Sequence, residues 1–343
     1  MDAELQSAAI NPDVQRLLTA LIEYHRTQYP LYWAEIEGLA EAVDLPVRLV
    51  AAANFRQEIT SILQAPRSHC TDVYFTNGST LALAHNEDYA PLFFDSMYVL
   101  SVTFGPEQGN PHSFTAFCYP AVLPGWSVGL REQFVFSVNL LFPKRSSPEV
   151  VDAELLSVVF ALRDILSARN VPSAIGLTKL QALRYGYSLN LADVEGRELH
   201  QMEVAPRGRV SREFISSRIP AVGAHANAYL RLMDVPQFTD RLNSSLHRID
   251  RFKQLQAQVE TAEDLLTILG DTAVMDWPVF RSAIPPDTSA NLATWAFDLS
   301  QRVASVYRHR PDGTRFSPTR EYWSKPVLRV PFPARDDGLL VMA

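Results

Sequence analysis

The first part of the chain places its apolar residues at the spacing of an α-helix. Between Asn11 and Leu63 these residues recur every three or four positions, and Asn11-Pro12 is typical of a helix start. Pro30 and Pro46 interrupt the pattern, because proline begins or ends helices more readily than it continues them. The pattern predicts several helices whose apolar faces need a core to cover them.

At Cys70 the pattern changes from that of helices to that of strands. Strand-like residues lie on both sides of Asn77-Gly78, a favoured two-residue hairpin turn. A hairpin with that turn places Cys70 opposite His85. The polar and acidic run from His85 to Asp88 then shares one sheet edge with the Cys70 thiol.

Strand-like segments continue along the chain after this hairpin, many of them alternating or enriched in β-branched and aromatic residues. The predicted strands are Cys70–Thr76, Ser79–Ala84, Met97–Phe104, Ser113–Tyr119, Gln133–Leu140, Ser188–Ala192, Glu198–Val204, Leu292–Asp298 and Arg302–Arg308. Helical spacing predicts helices at Val151–Arg169, Gly176–Arg184 and Ser244–Val259. The order of elements is typical of a layered α+β fold.

Several other features have a structural interpretation. The last predicted helix has a charged face, interpreted as solvated, that includes Arg248, Arg251 and Lys253. Glu203 and Asp298 are interpreted as caps of strand ends. Gly125 and Gly129 are interpreted as turn glycines, and the proline-rich stretch Pro326–Pro333 as a tail.

Composition narrows the classes of protein that the chain can be. The 343 residues carry a formal net charge of -7, whereas phosphate binding needs clustered positive charge, which argues against a nucleic-acid partner. The start of the sequence lacks the basic and apolar regions of a signal peptide. No apolar run reaches the roughly 18 residues of a membrane span. These features predict a soluble, cytoplasmic protein without a membrane partner.

The two cysteines have different neighbours in the sequence. Cys118 lies in an alternating apolar strand and is interpreted as a packed core thiol. Cys70 is either a buried structural thiol, as most lone cysteines are, or a nucleophile beside a polar cluster. The eight histidines show no zinc spacing such as His-Glu-x-x-His, and two cysteines cannot form a Cys-rich site, so no metal and no cofactor are predicted.

The residues around Cys70 resemble a known family. The motif consists of Cys70-Thr71, a hairpin, and then His85-Asn86-Glu87-Asp88. It is similar to the Cys-Thr start and Asn-x-Asp signature of the acyl-coenzyme A:6-aminopenicillanic acid acyltransferase family of N-terminal-nucleophile hydrolases, which includes the N-β-alanyl-dopamine (carcinine) hydrolases. Later segments agree in order: Phe114–Pro124, Phe134–Asn139, Ser188–Pro206, the His-Thr-Asn-like His225-Ala226-Asn227, and Asn291–Pro311.

The resemblance implies a four-layer αββα sandwich preceded by a helical segment. It also implies self-cleavage between His69 and Cys70, which leaves residues 1–69 as a small subunit bound to the catalytic domain 70–343. The freed α-amine of Cys70, with an ordinary pKa near 8, would act as the general base for its own thiol. By the same resemblance Asp88 orients that amine, and Asn227 donates to the oxyanion. Thr71, His85, Asn86 and Glu87 are assigned to substrate binding or to support of the site.

Three positions depart from the family pattern. His69 replaces a glycine before the nucleophile and lacks the conformational freedom of glycine, which predicts slow or absent self-cleavage. Ala226 and Ala228 replace polar residues beside Asn227, which predicts a drier pocket. Where some relatives carry a catalytic-site arginine, the chain has Thr288, with Arg281 several residues upstream.

The function implied by the resemblance is cleavage of a small N-acyl or β-alanyl amine through a thioester acyl-enzyme. The strand Phe134–Asn139 followed by Pro143 is closer to the β-alanyl-amine hydrolases than to the penicillin acyltransferases. Acyl transfer to an amine or thiol acceptor is one alternative, and a catalytically silent binding protein is another. The predicted partners are the small amide and the chain's own cleaved N-terminal fragment, and a homodimer stays open.

Overall fold

The computed structural model describes residues 11–62, 69–105, 112–144, 156–180 and 183–333. Its first four helices are α1 (Pro12–Gln28), α2 (Pro30–Ala42), α3 (Val47–Asn54) and α4 (Arg56–Ile62). The Asn11 side chain caps α1 by accepting the N–H groups of Asp13 and Val14. Pro30 is the first residue of α2, and Pro46 is the N-cap of α3. The predicted helical opening is therefore confirmed over the described residues.

The rest of the described chain forms two antiparallel sheets with helices outside them. The six-stranded sheet contains β1 (His69–Thr76), β2 (Leu81–Tyr89), β10 (Ala221–His225), β11 (Ala290–Asp298), β12 (Val303–Tyr307) and β13 (Leu328–Pro331). The seven-stranded sheet contains β3 (Tyr98–Phe104), β4 (His112–Cys118), β5 (Val128–Leu130), β6 (Phe134–Leu141), β7 (Gly186–Asp193), β8 (Glu198–Ala205) and β9 (Arg209–Ser216). The first sheet has the order β10-β1-β2-β11-β12-β13, and the second follows the chain order.

Helices cover the outer faces of both sheets. The later helices are α5 (Val158–Leu166), α6 (Val171–Leu180), α7 (Thr239–Leu255), α8 (Asp264–Leu269) and α9 (Arg320–Trp323), with short 3-10 helices at Pro91–Ser96 and Gln256–Gln258. None of the helices in the described part of the chain is both long enough and apolar enough to cross a membrane.

Three apolar clusters divide the molecule into layers. Leu83 and Trp295 of the six-stranded sheet pack with Phe117 of the seven-stranded sheet, so the two sheets face each other. The opposite face of the seven-stranded sheet packs against α1 to α6, and that of the six-stranded sheet packs Val73 against Phe252 of α7. The predicted four-layer αββα fold is thus confirmed.

The β1–β2 hairpin differs from the sequence prediction. Thr76 pairs with Leu81, so the loop has the four residues 77–80 rather than two, and Cys70 lies opposite Glu87 instead of His85. Asn77 accepts the Thr80 N–H through its side chain, and Gly78, at a φ of 91°, donates its N–H to another loop. Because the register shifts by two residues, every side chain keeps its predicted face.

Other predicted elements need smaller corrections. The strands β5, β9, β10 and β13 and the helix α8 were not predicted, because they are short or, as in β9, largely solvent exposed. Part of the predicted tail Pro326–Pro333 is therefore a strand. Gly129 lies within β5, where a Cβ atom would collide with the Phe136 ring, and only Gly125, at a φ of 100°, is a turn glycine. Residues 151–155 of one predicted helix lie outside the described residues, and that helix begins at Val158.

Candidate active site

Cys70 lies near the start of β1 with its side chain between the two sheets. Side chains alternate along a strand, so Cys70 and Asp72 share one face of β1, and His85 and Glu87 share the same face of β2. The Cys70 side chain is buried, with 2% of its surface exposed. Its Sγ atom lies 3.8 Å from Glu87 Oε2. The hairpin therefore places the thiol directly beside a carboxylate.

A buried polar network surrounds this thiol. His85 lies between two carboxylates, with Nε2 3.2 Å from Glu87 Oε2 and Nδ1 2.9 Å from Asp72 Oδ1. The facing sheet completes the network, because Ser127 Oγ donates to Glu87 and Ser137 Oγ donates to Asp72. The site is thus built across the interface of the two sheets.

Charge in this network controls the protonation of Cys70 and His85. Burial lowers the pKa of His85, but Asp72 and Glu87 outweigh it and raise that pKa to about 10, so the ring is an imidazolium at neutral pH. Burial raises the pKa of the Cys70 thiol well above its ordinary value, and the nearby carboxylates raise it further. In the uncleaved chain Cys70 is therefore a neutral thiol at neutral pH.

Asn227 contacts the backbone nitrogen of Cys70. Its Oδ1 accepts the Cys70 N–H at 3.0 Å, and its Nδ2 donates to the Leu140 carbonyl at 2.9 Å. β10 pairs with β1 so that His225 faces Asp72, which brings the loop after β10 to the start of β1. The structure thus brings together two of the predicted site residues, Cys70 and Asn227.

Arg248 is a site residue that the sequence analysis missed. It lies on α7 and is fully buried, so the interpretation of a solvated face was wrong at this position, although Lys253 is exposed. Its guanidinium donates to the Cys70 carbonyl, to Thr71 Oγ1 at 2.6 Å and to Asn227 Oδ1 at 2.8 Å. The one local signal was the pair of small serines at positions 244 and 245, which let the helix approach the sheet.

Asp88 lies on the opposite face of β2 from Glu87, directly across from His69 in the strand register. Its Oδ1 accepts from Asn291 Nδ2 at 3.2 Å, whereas its buried Oδ2 has no hydrogen-bond partner among the described residues. Burial raises the pKa of Asp88 to about 7, and Arg281 and Arg248 oppose the shift. Asp88 therefore lies opposite His69 in the register, with one carboxylate oxygen unpaired among the described residues.

Two further predicted residues, Thr71 and Asn86, hold the site in place. Thr71 accepts from Arg248, as described above. Asn86 donates to the Leu269 carbonyl at 2.9 Å and accepts from Thr294 Oγ1 at 2.6 Å, so it ties β2 to the outer helical layer. Arg281, the arginine nearest to Thr288 in sequence, is buried and paired with Asp287. The side chain of His69 lies outside the described residues.

Glu203 does more than cap a strand end. It is buried and accepts from His225 Nε2 at 3.0 Å and from the backbone N–H groups of Leu230 and Leu232. Burial raises its pKa, but these donors outweigh the effect and lower the pKa to about 2. Glu203 therefore fixes both ends of the loop that carries Asn227, and the interpretation as a cap was wrong.

A cavity of about 210 Å³ lies next to the polar network. Its mainly apolar wall includes Tyr89, Phe93, Tyr119 and Trp126, and α4 contributes Arg56. The Tyr119 hydroxyl donates to Glu87 Oε1, so this ring lies between the cavity and the carboxylate beside Cys70. The N-terminal helices and the sheets thus both contribute to this cavity.

Comparison with known proteins identifies the family. The family model for acyl-coenzyme A:6-aminopenicillanic acid acyl-transferase matches residues 75–313, a range that contains Asn86, Asp88 and Asn227 and begins just after Cys70. The chain belongs to this family. The comparison with curated proteins found no match.

Two solved structures are similar in fold. An N-acylethanolamine-hydrolyzing acid amidase ortholog from Caenorhabditis elegans is 14% identical, with 77% of this chain and 100% of that chain covered and a TM-score of 0.42. A mutant of conjugated bile acid hydrolase from Clostridium perfringens is 10% identical, with 70% of this chain and 89% of that chain covered and a TM-score of 0.45.

Proposed function

We propose that the protein is a cysteine N-terminal-nucleophile amidohydrolase that cleaves a small N-acyl or β-alanyl amine after its chain breaks between His69 and Cys70. One observation carries the proposal. The backbone nitrogen of Cys70 donates to Asn227, while Asp88, opposite His69 in the strand register, lies close enough to act on the Cys70 thiol. A cationic amine released at this point has an acceptor on either side.

The first step is an attack on the chain itself. Cys70 Sγ forms a bond to the His69 carbonyl carbon, the C–N bond of the same peptide breaks, and the thiol proton passes to the departing nitrogen. Water then hydrolyses the thioester, which releases a carboxylate at residue 69 and a free amine on Cys70. From then on the amine takes the thiol proton in each catalytic cycle.

Asp88 and Arg248 have separate roles in this scheme. A charge-assisted hydrogen bond from the Cys70 ammonium to Asp88 supplies a partner for Oδ2, the oxygen that has none among the described residues. Arg248 holds the Cys70 carbonyl and Asn227 Oδ1, so it orients both the nucleophile and the oxyanion donor. The amide nitrogen of Asn227 carries two hydrogens, and one of them is donated to the Leu140 carbonyl. The second N–H is the one that would donate to the oxyanion.

The cavity supports a substrate with one apolar group. Aromatic rings line most of it, and Tyr119 separates it from Glu87 and so from the thiol. An amide whose acyl or amine part is a small apolar or aromatic group would fill this space, with its carbonyl carbon toward Cys70. Because α3 and α4 also line the cavity, the N-terminal fragment must stay bound after cleavage.

Intact-mass spectrometry of the purified chain tests the proposal. We expect two fragments that divide between His69 and Cys70 and elute together, and a single uncleaved chain for Cys70→Ala. Amide hydrolysis by the cleaved form should be absent from that variant. A single full-length wild-type chain that hydrolyses no N-acyl amine would refute the proposal and favour a binding protein.

Acyl transfer is the second candidate, since the matching family model is that of an acyltransferase. Product analysis with and without an added acceptor amine separates the two reactions. A new N-acyl product that grows with acceptor concentration indicates transfer. Release of free acid alone at every concentration indicates hydrolysis.

A further inference from the structure

The proposed nucleophile and two neighbouring side chains have the chemistry of metal ligands. Cys70 Sγ, His85 Nε2 and Glu87 Oε2 all lie within 4.8 Å of one another, and all three residues are buried. The Sγ–Oε2 distance is 3.8 Å and the Nε2–Oε2 distance is 3.2 Å. Ligand atoms around a tetrahedral Zn²⁺ ion are about 3.3 to 3.8 Å apart, given bond lengths of about 2.0 to 2.3 Å. These pairs of atoms are therefore already near the spacing that the ion requires.

A second layer of hydrogen bonds orients these ligands. Asp72 Oδ1 lies 2.9 Å from His85 Nδ1, which leaves Nε2 directed toward Glu87. Metal-binding histidines nearly always have such a partner on the other ring nitrogen. Tyr119 donates to Glu87 Oε1, the oxygen that would not bind the ion. The hydrogen-bond support that a metal site needs is therefore present around His85 and Glu87.

We propose that Cys70, His85 and Glu87 together bind one Zn²⁺ ion, with the fourth position left for water or a substrate oxygen. Thiolate and imidazole ligands favour zinc over magnesium or calcium, which prefer oxygen. On binding, the Cys70 thiol and the His85 ring release their protons to solvent, because both ligands bind in the deprotonated form.

The surrounding charges are compatible with a divalent cation. The carboxylates of Asp72 and Asp88 lie close enough to Cys70 to act on its thiol, in addition to Glu87. The positive charge of Arg248, which contacts the Cys70 carbonyl, disfavours a bound cation. The positive charge of Arg281 is offset by its ion pair with Asp287. The cavity reaches Tyr119, whose hydroxyl donates to Glu87, so the proposed site lies one side chain away from the cavity.

Zinc at this position would block the nucleophile. A thiolate bound to Zn²⁺ cannot attack an amide carbonyl, so the ion would inhibit self-cleavage and amide hydrolysis reversibly. This consequence rests on the proposed function, whereas the binding itself does not. The site would therefore let zinc availability control the enzyme.

Titration of the purified full chain with Zn²⁺, in competition with a chromophoric chelator, tests the site. We expect one equivalent to bind to the wild type and none to bind at this site in Cys70→Ala. Asp72→Asn should weaken binding about 10- to 100-fold, because it removes the support of the His85 ring. Cys118→Ala is the matched control, since it removes the other buried thiol and should bind as the wild type does. Substitution with Co²⁺ should give the visible and near-ultraviolet bands of a tetrahedral thiolate complex.

Two results would overturn the site. One is wild-type binding no tighter than that of Cys70→Ala. The other is unchanged affinity in both His85→Gln and Glu87→Gln, with circular dichroism showing that both variants are folded. Zinc binding by a chain without amidase activity would leave the site standing and refute the proposed function. Amide hydrolysis that one equivalent of zinc leaves unchanged would be a third result against the site, and it would leave the proposed function standing.

Discussion

Cys70 and Cys118 are equally buried, with 2% and 1% of their surfaces exposed, yet their surroundings differ completely. Cys118 lies in the apolar cluster that joins the N-terminal helices to the seven-stranded sheet. Burial raises its pKa to about 12. Cys70 has a carboxylate 3.8 Å from its sulfur, an amide oxygen at its backbone nitrogen and a guanidinium at its carbonyl. Burial alone therefore does not distinguish the two thiols, whereas the neighbouring groups do.

The buried polar groups of the two regions differ in the same way. In the helical region two buried polar groups serve the packing of helices: His25 Nε2 accepts the Ser157 N–H, and Arg163 pairs with Glu35. Near Cys70 the polar groups bond to one another across two sheets and converge on one sulfur atom. A polar side chain that hydrogen-bonds to one helix end stabilises the fold. A network of buried polar groups around one atom can also fix the position of that atom.

The largest contrast should come from removal of the two thiols. Cys70→Ala should abolish self-cleavage and lower amide hydrolysis at least about a thousandfold, because the nucleophile is lost. Cys118→Ala should keep the activity and lower the free energy of unfolding by about 1 to 2 kcal/mol through the small cavity it leaves. Intact mass, amidase rates and urea unfolding measure these effects. Equal loss of activity in both variants would contradict the comparison.

The two buried arginines provide the next contrast. Arg248→Gln should lower kcat/KM about a hundredfold, since it frees the Cys70 carbonyl and Asn227 from their common donor. Arg163→Gln should leave kcat/KM unchanged and destabilise the fold by about 2 kcal/mol, because it breaks the pair with Glu35. Steady-state kinetics and thermal unfolding of the two variants measure both effects. A change in stability alone for Arg248→Gln would show that this residue is structural.

The pH dependence of stability should report on the helical region. Burial lowers the pKa of His25 to about 3, below its unfolded value of 6.5. The folded state thus binds fewer protons than the unfolded state between these values, so the contribution of His25 is complete above pH 6.5 and is lost as the pH falls toward 3. Between pH 7 and pH 5 the wild type should lose about 2 kcal/mol more than His25→Gln.

Glu58 also changes how the free energy of unfolding depends on pH, but it does not change the difference between the wild type and His25→Gln. Burial raises its pKa to about 7, so its contribution is complete below about 4.5 and is lost as the pH rises through 7. The wild type and His25→Gln share that contribution, and the comparison of their urea unfolding isolates His25. Identical pH slopes in the two proteins would refute the assignment of a neutral buried ring.

The smallest expected effect concerns two tyrosine hydroxyls. Tyr119→Phe removes a donor to Glu87 and should lower amide hydrolysis about threefold to tenfold, the range of one lost hydrogen bond. Tyr32→Phe removes a donor to Asp164 in the helical region and should leave hydrolysis unchanged while stability falls by about 1 kcal/mol. Amidase rates with substrates of different sizes would show whether the cavity wall has also moved.

Much of the fold and part of the site follow from local sequence. Asn11, Pro30 and Pro46 mark helix boundaries through their own backbone chemistry, and the predicted helices appear there. The alternation after Cys70 predicted which face of the sheet each side chain of the hairpin occupies. This prediction is confirmed although the predicted turn was wrong. The motif residues Asn86 and Asp88 indicated the family that the comparison then identified.

The sequence by itself thus determined the elements, the faces of their side chains and the family, because these depend on residues close together in the chain. Only the tertiary structure decided which groups meet. The four-residue hairpin loop depends on a contact between Gly78 and Ser217, and the burial of Arg248 depends on how α7 lies against β1. The grouping of Cys70 with His85 and Glu87 likewise needs the cross-strand register. The spacing of apolar residues along the sequence predicts the direction of a side chain. It does not predict the partner of that side chain, because the partner lies in a distant part of the chain.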